Sequence, residues 1–273
     1  LGLLPFDISA RFQSMMSARP AAWIFTSATL SVPSSAGDDF SHFASRLGLQ
    51  DARSLRIASP FDYETQATLY LPQGIPEPSS PGYVEAVIVA SVPLLEASGG
   101  GAFLLFTSHR ALSQGAALLR ARWDGAAEVP ILVQGEGPRE RLLREFREHG
   151  NAVLLGTASF WEGVDVKGEA LRLVIIEKLP FASPDDPLTK ARIEYLQRQG
   201  GNAFRDYQLP EAVLALKQGV GRLIRSETDR GMIVICDPRL LGKSYGRVFR
   251  ASLPPMPATQ SLEEALRFLR RLR

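Results

Sequence analysis

The chain has 273 residues, of which 45% are hydrophobic and 22% are charged, and its formal net charge is +2. This composition is ordinary for a globular protein, and the net charge is too small to indicate nucleic-acid binding by itself. No apolar run approaches the ~18 residues that a membrane-spanning helix needs, so we expect no membrane partner. The single cysteine, Cys236, excludes a disulfide framework or a cysteine-bound cluster within this sequence. The three histidines show no ligand spacing, so no metal site is expected.

Short apolar runs alternate with helical patterns along the chain. Several of these runs are predicted to be buried strands. The runs are AAWIF (21–25), ATLYL (67–71), FLLF (103–106), ILV (131–133), AVLL (152–155), LRLVII (171–176) and MIVIC (232–236). Helices are predicted over 81–97, 109–122, 138–148 and 210–226, and after Ser261, a capping residue type. Strands that alternate with helices predict an α/β fold with a mainly parallel sheet and helices on both faces.

The stretch KQGVGRLIR (217–225) carries three polar side chains that a helix would align. Gln218, Arg222 and Arg225 are spaced i, i+4 and i+7, and Gly221 removes a side chain beside them. Guanidinium groups suit phosphate oxygens. Arginines that stabilise a phosphoryl group during its transfer raise the rate of the reaction by on the order of 10³–10⁵-fold. Such arginines can come from a neighbouring domain. We therefore predict that this stretch is directed at a polyphosphate.

Residues 237–244 (DPRLLGKS) match a phosphate-binding loop only at their Gly-Lys-Ser end. Such a loop, G-x-x-x-x-G-K-[ST], presents backbone N–H groups to phosphates. Asp237 replaces the first glycine and Pro238 supplies no N–H, so we expect no nucleotide here. The sequence also shows no acidic pair after a strand to hold Mg²⁺. The arginines are therefore predicted to act on a nucleotide bound outside this chain. A self-sufficient NTPase that uses Lys243 and Ser244 is an alternative.

Two polar segments follow predicted strands, at the end of the sheet where α/β proteins bind ligands. In TASFWEGVDV (157–166), Asp165 is predicted to accept from a ribose hydroxyl and Trp161 to stack on a base, with a polar turn and a core tryptophan as the alternative. Glu162 and Gly163 are predicted to lie at the same carboxyl end of the strand as Asp165. Thr157 and Ser159 are predicted to donate hydrogen bonds to nucleic-acid phosphates. Thr107 and Ser108 lie just past a predicted strand and near a helix N-terminus, a position that suits phosphate binding. Ser108 has the alternative role of a helix cap.

Together these stretches resemble the second motor domain of superfamily-two helicases. TSATL (26–30) resembles motif three, LLFTSHR (104–110) motif four, GTASFWEGVDV (156–166) motif five and QGVGRLIR (218–225) motif six. The resemblance is narrowed to the DinG/XPD-like iron–sulfur DNA helicases, and to their YoaA-type members, by SPFDYETQATLYLP (59–72), EKLPFASPDDPL (177–188) and CDPRLLGKSYG (236–246). It covers nearly the whole chain.

The resemblance implies a RecA-like fold, ATP bound between two RecA-like domains, and 5′→3′ movement on single-stranded DNA. Arg225 and Arg222 would reach the ATP phosphates, with support from Gln218. The residues implied to line the nucleotide cleft and couple it to DNA are Glu162, Gly163, Asp165 and Gly221. Those implied to contact DNA are Thr107, Ser108, Thr157, Ser159 and Trp161. The coupling motif would contain Ser27 and Thr29.

In this family the phosphate loop, the Mg²⁺-binding motif and the cluster cysteines lie upstream of motif three. We therefore expect residues 1–30 to be the tail of the first motor domain, 31–40 a linker, and 41–273 the C-terminal RecA-like domain of a truncated helicase. AAWIF, deprived of its sheet, is expected to be displaced or paired with another molecule.

ATP and Mg²⁺ would bind in the complete protein and an iron–sulfur cluster upstream, with no cofactor on this chain alone. The expected partners are single-stranded DNA, the upstream motor domain and a replication or repair protein, in the bacterial cytoplasm at the nucleoid. The alternative is a non-catalytic RecA-like module that docks a replication or repair protein.

Overall fold

The computed structural model describes residues 7–19, 21–27, 29–34, 37–49, 51–123, 128–157, 160, 170–183 and 185–273. The chain divides into two compact units. One contains residues 1–58 and 181–215, and the other contains residues 59–180 and 216–273. The large sheet belongs wholly to the second unit. The boundary expected after residue 40 stays a prediction.

The strands and helices are distributed over both units. The strands are β1 (Val32–Ser34), β2 (Gly37–Asp39), β3 (Ala67–Tyr70), β4 (Ala102–Phe106), β5 (Ile131–Val133), β6 (Val153–Thr157), β7 (Leu173–Ile176), β8 (Gly231–Ile235) and β9 (Ala258–Thr259). The α-helices are α1 (Ser9–Ser17), α2 (Ser41–Leu47), α3 (Tyr63–Gln66), α4 (Tyr83–Ser98), α5 (His109–Arg122), α6 (Arg139–His149), α7 (Pro187–Arg198), α8 (Leu209–Val220), α9 (Arg239–Gly242), α10 (Gly246–Ser252) and α11 (Leu262–Arg270). A π-helix spans Phe204–Gln208.

Seven strands form one all-parallel sheet in the order β5-β6-β4-β7-β8-β3-β9. The predicted α/β fold with a parallel sheet is therefore confirmed. β1 and β2 pair separately as an antiparallel hairpin, within the residues 31–40 that the sequence predicted to be a linker.

Helices cover both faces of the sheet. In β4, the Phe103 ring lies 4.6 Å from the Phe146 ring of α6, measured between centroids. The next residue, Leu104, belongs to the core that contains Leu95 of α4 and Leu112 of α5. Since successive strand side chains point to opposite faces, α6 covers one face, and α4 and α5 cover the other. Burial on both sides explains why β4 (AFLLF) is apolar at every position.

Two helices begin at serine caps. Ser108 Oγ accepts a hydrogen bond from the N–H of Ala111 (3.2 Å) at the start of α5. Ser261 Oγ accepts from the N–H of Glu264 (3.3 Å) at the start of α11, which confirms the predicted cap of the C-terminal helix. Each bond satisfies one of the N–H groups that a helix start leaves without an intrahelical partner.

AAWIF (21–25), which was expected to be displaced once deprived of its sheet, forms no strand in this chain. Residues 22–27 adopt neither helix nor strand, and Ile24 is 84% exposed. An apolar run becomes a strand only where a neighbouring strand accepts and donates its backbone hydrogen bonds. The sequence pattern alone does not supply that neighbour.

Candidate functional site

Five of the predicted site residues lie near opposite ends of the parallel strands. Thr107 and Ser108 follow β4, and Thr157 ends β6, so all three mark the carboxyl edge of the sheet. Arg222 and Arg225 lie in the connection that leads into β8, and therefore near the amino end of that strand. The structure thus separates the hydroxyl groups predicted to contact DNA from the arginines predicted to contact ATP.

At the carboxyl edge, Thr107 is bound to a buried carboxylate that the sequence analysis missed. Glu177 directly follows β7 and is 2% exposed. Its Oε2 accepts from the backbone N–H of Thr107 (3.1 Å) and from Thr107 Oγ1 (3.2 Å). Lys178 Nζ lies 3.9 Å from Glu177 Oε1. A charged residue placed directly after the apolar run LRLVII was the available signal.

Ser108 caps α5, which is the alternative role that the sequence left open. The cap uses Oγ as an acceptor, so the hydroxyl hydrogen is still able to donate to a phosphate. Ser108 is exposed and lies at the N-terminus of α5, a fourteen-residue helix. The predicted DNA contact of Ser108 stays a prediction.

Thr157 is bound to an amide side chain. Gln134 Oε1 accepts from the backbone N–H of Thr157 (2.7 Å) and from its Oγ1 (3.0 Å). Thr157 is 6% exposed, so a phosphate contact at its hydroxyl requires Gln134 to move. The other motif-five residues lie outside the described residues, namely Ser159, Trp161, Glu162, Gly163 and Asp165. Their predicted roles stay predictions.

The arginines do not form the predicted helical stripe. α8 ends at Val220, and Gly221 to Leu223 form a turn, so Gln218 lies in the last helical turn whereas Arg222 and Arg225 lie beyond it. The prediction of a helix to residue 226 is therefore wrong. Glycine disfavours the helical conformation, and helices commonly end beside it. We call residues 221–229 the arginine turn.

Asp229 supplies the hydrogen bonds that replace a continued helix. Its Oδ2 accepts from the backbone N–H of Arg225 (2.8 Å) and from that of Ser226 (2.9 Å). Its own N–H donates to Ser226 Oγ (3.2 Å). Side chains of this type compete with helix formation by bonding to nearby backbone groups. Leu223 and Ile224 are buried, as the sequence predicted, and they anchor the arginine turn to the core.

The residues of the predicted coupling motif contact each other. Ser27 Oγ accepts from the N–H of Thr29 (3.2 Å), and the two hydroxyl oxygens are 3.3 Å apart. Both residues belong to the first unit. Their coupling role stays a prediction.

The segment DPRLLGKS does not form a phosphate loop. Asp237 Oδ2 accepts from the N–H of Leu179 (2.8 Å) and from Arg239 Nη2 (2.6 Å), and Oδ1 accepts from Arg239 Nε (2.9 Å). The hydrogen bond to Asp237 raises the pKa of Arg239 above its usual value. Lys243 is exposed after the short helix α9. Asp237 is thus a buried ion-pair partner that ties the ends of β7 and β8 together.

A buried tyrosine joins the same two strand ends. Tyr83 Oη donates to the carbonyl oxygen of Glu177 (2.6 Å) and lies 3.3 Å from that of Cys236. Burial, with neighbouring negative groups, raises the pKa of the Tyr83 phenol and of the Cys236 thiol above their ordinary values. The Cys236 thiol is therefore protonated and unreactive near neutral pH, as expected for a buried free cysteine.

The described residues show neither a metal-binding cluster nor a membrane-spanning helix. Within them, no group of three or more His, Cys, Asp or Glu side chains is arranged to hold a metal ion. No helix in this part of the chain is long and apolar enough to cross a membrane.

Comparison with known proteins gives a family for this fold. The family model described as a helicase C-terminal domain matches residues 91–256. The ATP-dependent DNA helicase YoaA of Escherichia coli K12 is 49% identical over 269 residues, which are 98% of this chain and 41% of that protein. The ATP-dependent helicase DinG of Mycobacterium tuberculosis H37Rv is 36% identical over 276 residues, which are 100% of this chain and 40% of that protein. This chain therefore spans about two fifths of the length of these relatives.

Solved structures agree on the fold. The structure of S. tokodaii Xpd4 has a TM-score of 0.52 at 16% identity, covering 71% of this chain and 38% of that one. S. cerevisiae Dbp5 bound to RNA and ADP BeF3 has a TM-score of 0.51 at 14% identity, covering 85% of this chain and 52% of that one. At these identities the match concerns the RecA-like fold alone. The chain belongs to the helicase C-terminal domain family, and the two relatives described above are named as helicases.

Proposed function

We propose that this chain is the C-terminal motor domain of an ATP-dependent DNA helicase that moves 5′→3′ on single-stranded DNA. Arg225 and Arg222 approach the phosphates of an ATP molecule held by an upstream motor domain, and Gln218 supports them. The chain lacks a phosphate loop and does not hydrolyse ATP alone. Its carboxyl edge, with Thr107 and Ser108, forms part of the path of the DNA strand.

The observation that carries the proposal is the arginine turn. Two arginines follow a helix end, on a backbone anchored by buried Leu223 and Ile224 and by the Asp229 carboxylate. Guanidinium groups held in this way stabilise charge that develops on a phosphoryl group, because the protein need not reorganise during the reaction. Family membership supports the same assignment, since YoaA is described as an ATP-dependent DNA helicase.

The cofactors of the proposed function fit this chain in different ways. The arginine turn suits the phosphates of ATP, whereas the ion-paired Asp237 makes DPRLLGKS unfit to cradle them. Mg²⁺ would accompany ATP on the upstream domain and neutralise phosphate charge. An iron–sulfur cluster needs several cysteine ligands, and the single Cys236 is buried, so a cluster belongs upstream as well.

The test compares the isolated chain with the complete helicase. We expect no ATP hydrolysis by the isolated chain, with or without single-stranded DNA. In the complete helicase, Arg225→Ala should lower the kcat of ATP hydrolysis by about 10³-fold or more and leave DNA affinity nearly unchanged. Arg247→Ala, on an exposed arginine of α10, is the matched control.

Two results would contradict the proposal. Near-normal ATP turnover in Arg225→Ala would exclude the arginine-finger role and favour the non-catalytic docking module. Hydrolysis by the isolated chain that Lys243→Ala abolishes would mean that the chain carries its own nucleotide site.

A further inference from the structure

A buried amide at the start of β3 holds the arginine turn from a distant part of the chain. Gln66 is the last residue of α3 and is 2% exposed. Its Nε2 donates to the carbonyl oxygen of Ser226 (2.8 Å) and to that of Asp229 (2.9 Å). Both partners are acceptors only, so the amide nitrogen and not the oxygen must face them. One side chain thereby fixes two backbone positions that lie 160 and 163 residues away.

Thr65 adds a second link between the same two segments. Arg230 Nη1 donates to the carbonyl oxygen of Thr65 (3.1 Å), next to Gln66. In the sheet, Ala67 of β3 pairs with Gly231 of β8. A methyl group at Gly231 would approach Leu223 Cδ1 to 2.6 Å, so the strand start and the arginine turn are closely packed. The amino ends of β3 and β8 therefore form one base for the turn.

The chemistry of Gln66 indicates a geometric role. Its Oε1 is buried and has no hydrogen-bond partner among the described residues. A buried acceptor without a partner lowers stability. An apolar residue of similar length would remove that cost, but it would leave the carbonyls of Ser226 and Asp229 without the amide donor. The contribution of Gln66 therefore comes from its Nε2, which fixes the positions of the carbonyl groups of Ser226 and Asp229.

We infer that Gln66 and Asp229 are positioning residues for Arg225. Asp229 holds the backbone N–H of Arg225 from within the turn, and Gln66 fixes Asp229 and Ser226 from the end of α3. A guanidinium stabilises a transferring phosphoryl group only from a fixed position, and small displacements lower the rate strongly. The inference rests on the proposed function, because it assigns Gln66 to the same phosphoryl-transfer site.

The test uses the complete helicase and replaces the amide without shortening the side chain. Gln66→Met removes the donor and keeps nearly the same volume in the core. We expect it to lower the kcat of ATP hydrolysis by about 10–100-fold, with small changes in the KM for ATP and in single-stranded DNA affinity. Gln73→Met is the control, because Gln73 Nε2 donates to Gln260 Oε1 (2.8 Å) on the surface, away from the turn. Asp229→Ala, a second variant at the other end of the network, should reproduce the kcat defect, and Asp229→Asn, which keeps an acceptor oxygen, should rescue part of it.

A double-mutant cycle separates a positioning role from a general loss of stability. Arg225→Lys keeps the positive charge and loses the planar fork of donors, so its lowered rate remains measurable. If Gln66 acts through Arg225, Gln66→Met should lower kcat much less in the Arg225→Lys background than in the wild type. Equal factors in both backgrounds would overturn the inference, as would a kcat for Gln66→Met equal to that of Gln73→Met.

The same experiments distinguish a failure of the proposed function from a failure of the positioning role. If Arg225→Ala retains near-normal turnover, the arginine finger and the positioning role are both excluded. If Arg225→Ala is inactive and Gln66→Met has normal kcat, the arginine finger stands and only the positioning role is excluded.

Discussion

Replacing Asp237 by asparagine should destabilise the chain, because the aspartate is a buried half of an ion pair. Its side chain is fully buried and accepts from Arg239 and from the N–H of Leu179. Asparagine has the same shape as aspartate but no charge. Its NH₂ group would face the N–H of Leu179 or the guanidinium of Arg239, which are themselves donors. Removing one partner of a buried pair costs about 3–5 kcal/mol. For a chain of this size, each kcal/mol shifts Tm by about 2–4 °C, so we expect a fall of about 10 °C.

The assay is thermal unfolding of the isolated chain followed by circular dichroism. Asp185→Asn is the control, because this substitution at an exposed residue removes the same charge without breaking a buried ion pair. Asp237→Gly, which restores the first glycine of the phosphate-loop pattern, should also lower Tm and should not create ATP binding. A Tm for Asp237→Asn within about 2 °C of the control would refute the ion-pair argument, and ATP binding by Asp237→Gly would revive the phosphate-loop reading.

Two further predictions concern helix ends and surface charge. Ser108→Ala and Ser261→Ala each remove a helix cap and should each cost about 1 kcal/mol in urea unfolding. Only Ser108→Ala should weaken the binding of labelled oligothymidine, measured by fluorescence anisotropy, and equal affinities would exclude the DNA contact. Hydrogen bonds from Arg120 lower the pKa of Glu136, so this exposed pair stabilises the fold above about pH 4.3 and the stabilisation is lost as pH falls through the lowered pKa. Glu136→Gln should therefore lower stability by up to about 1 kcal/mol at pH 7 and by less below pH ~4, and a pH-independent difference would contradict this assignment.

The sheet was predictable because its strands carry a local signal. Runs such as FLLF and MIVIC are apolar at consecutive positions, which only a strand buried on both faces requires. The order of the strands carries no such signal, since β3 pairs with β8 across a gap of more than a hundred and fifty residues. AAWIF shows the limit of the rule. Its composition equals that of the true strands, and only a neighbouring strand decides whether it pairs.

The sequence predicted candidate site residues, whose roles stay predictions, but it did not predict the geometry of the arginine turn. The spacing of Gln218, Arg222 and Arg225 suits a helix, yet the chain leaves the helix at Val220. The Asp229 carboxylate stabilises the turn that replaces the helix, and it lies four residues after Arg225. Aspartate side chains commonly compete with helix formation in this way by accepting from nearby backbone N–H groups, so this feature is a local sequence signal. The amide of Gln66 lies far away in sequence, so no local rule finds it.

The two edges of the sheet also give the arginine turn a mechanical role in the proposed helicase. Thr107 and Ser108 end the connection from β4 at one edge, and Arg225 precedes β8 at the other. β4 and β8 are both hydrogen-bonded to β7, so a displacement at one edge is transmitted through a fully buried strand. A close-packed core transmits such displacement with little deformation. In the proposed helicase, this packed sheet would join ATP turnover at one edge to DNA contact at the other. The turn would then have to be held as firmly as the strands, which is what the hydrogen bonds of Gln66 and Asp229 provide.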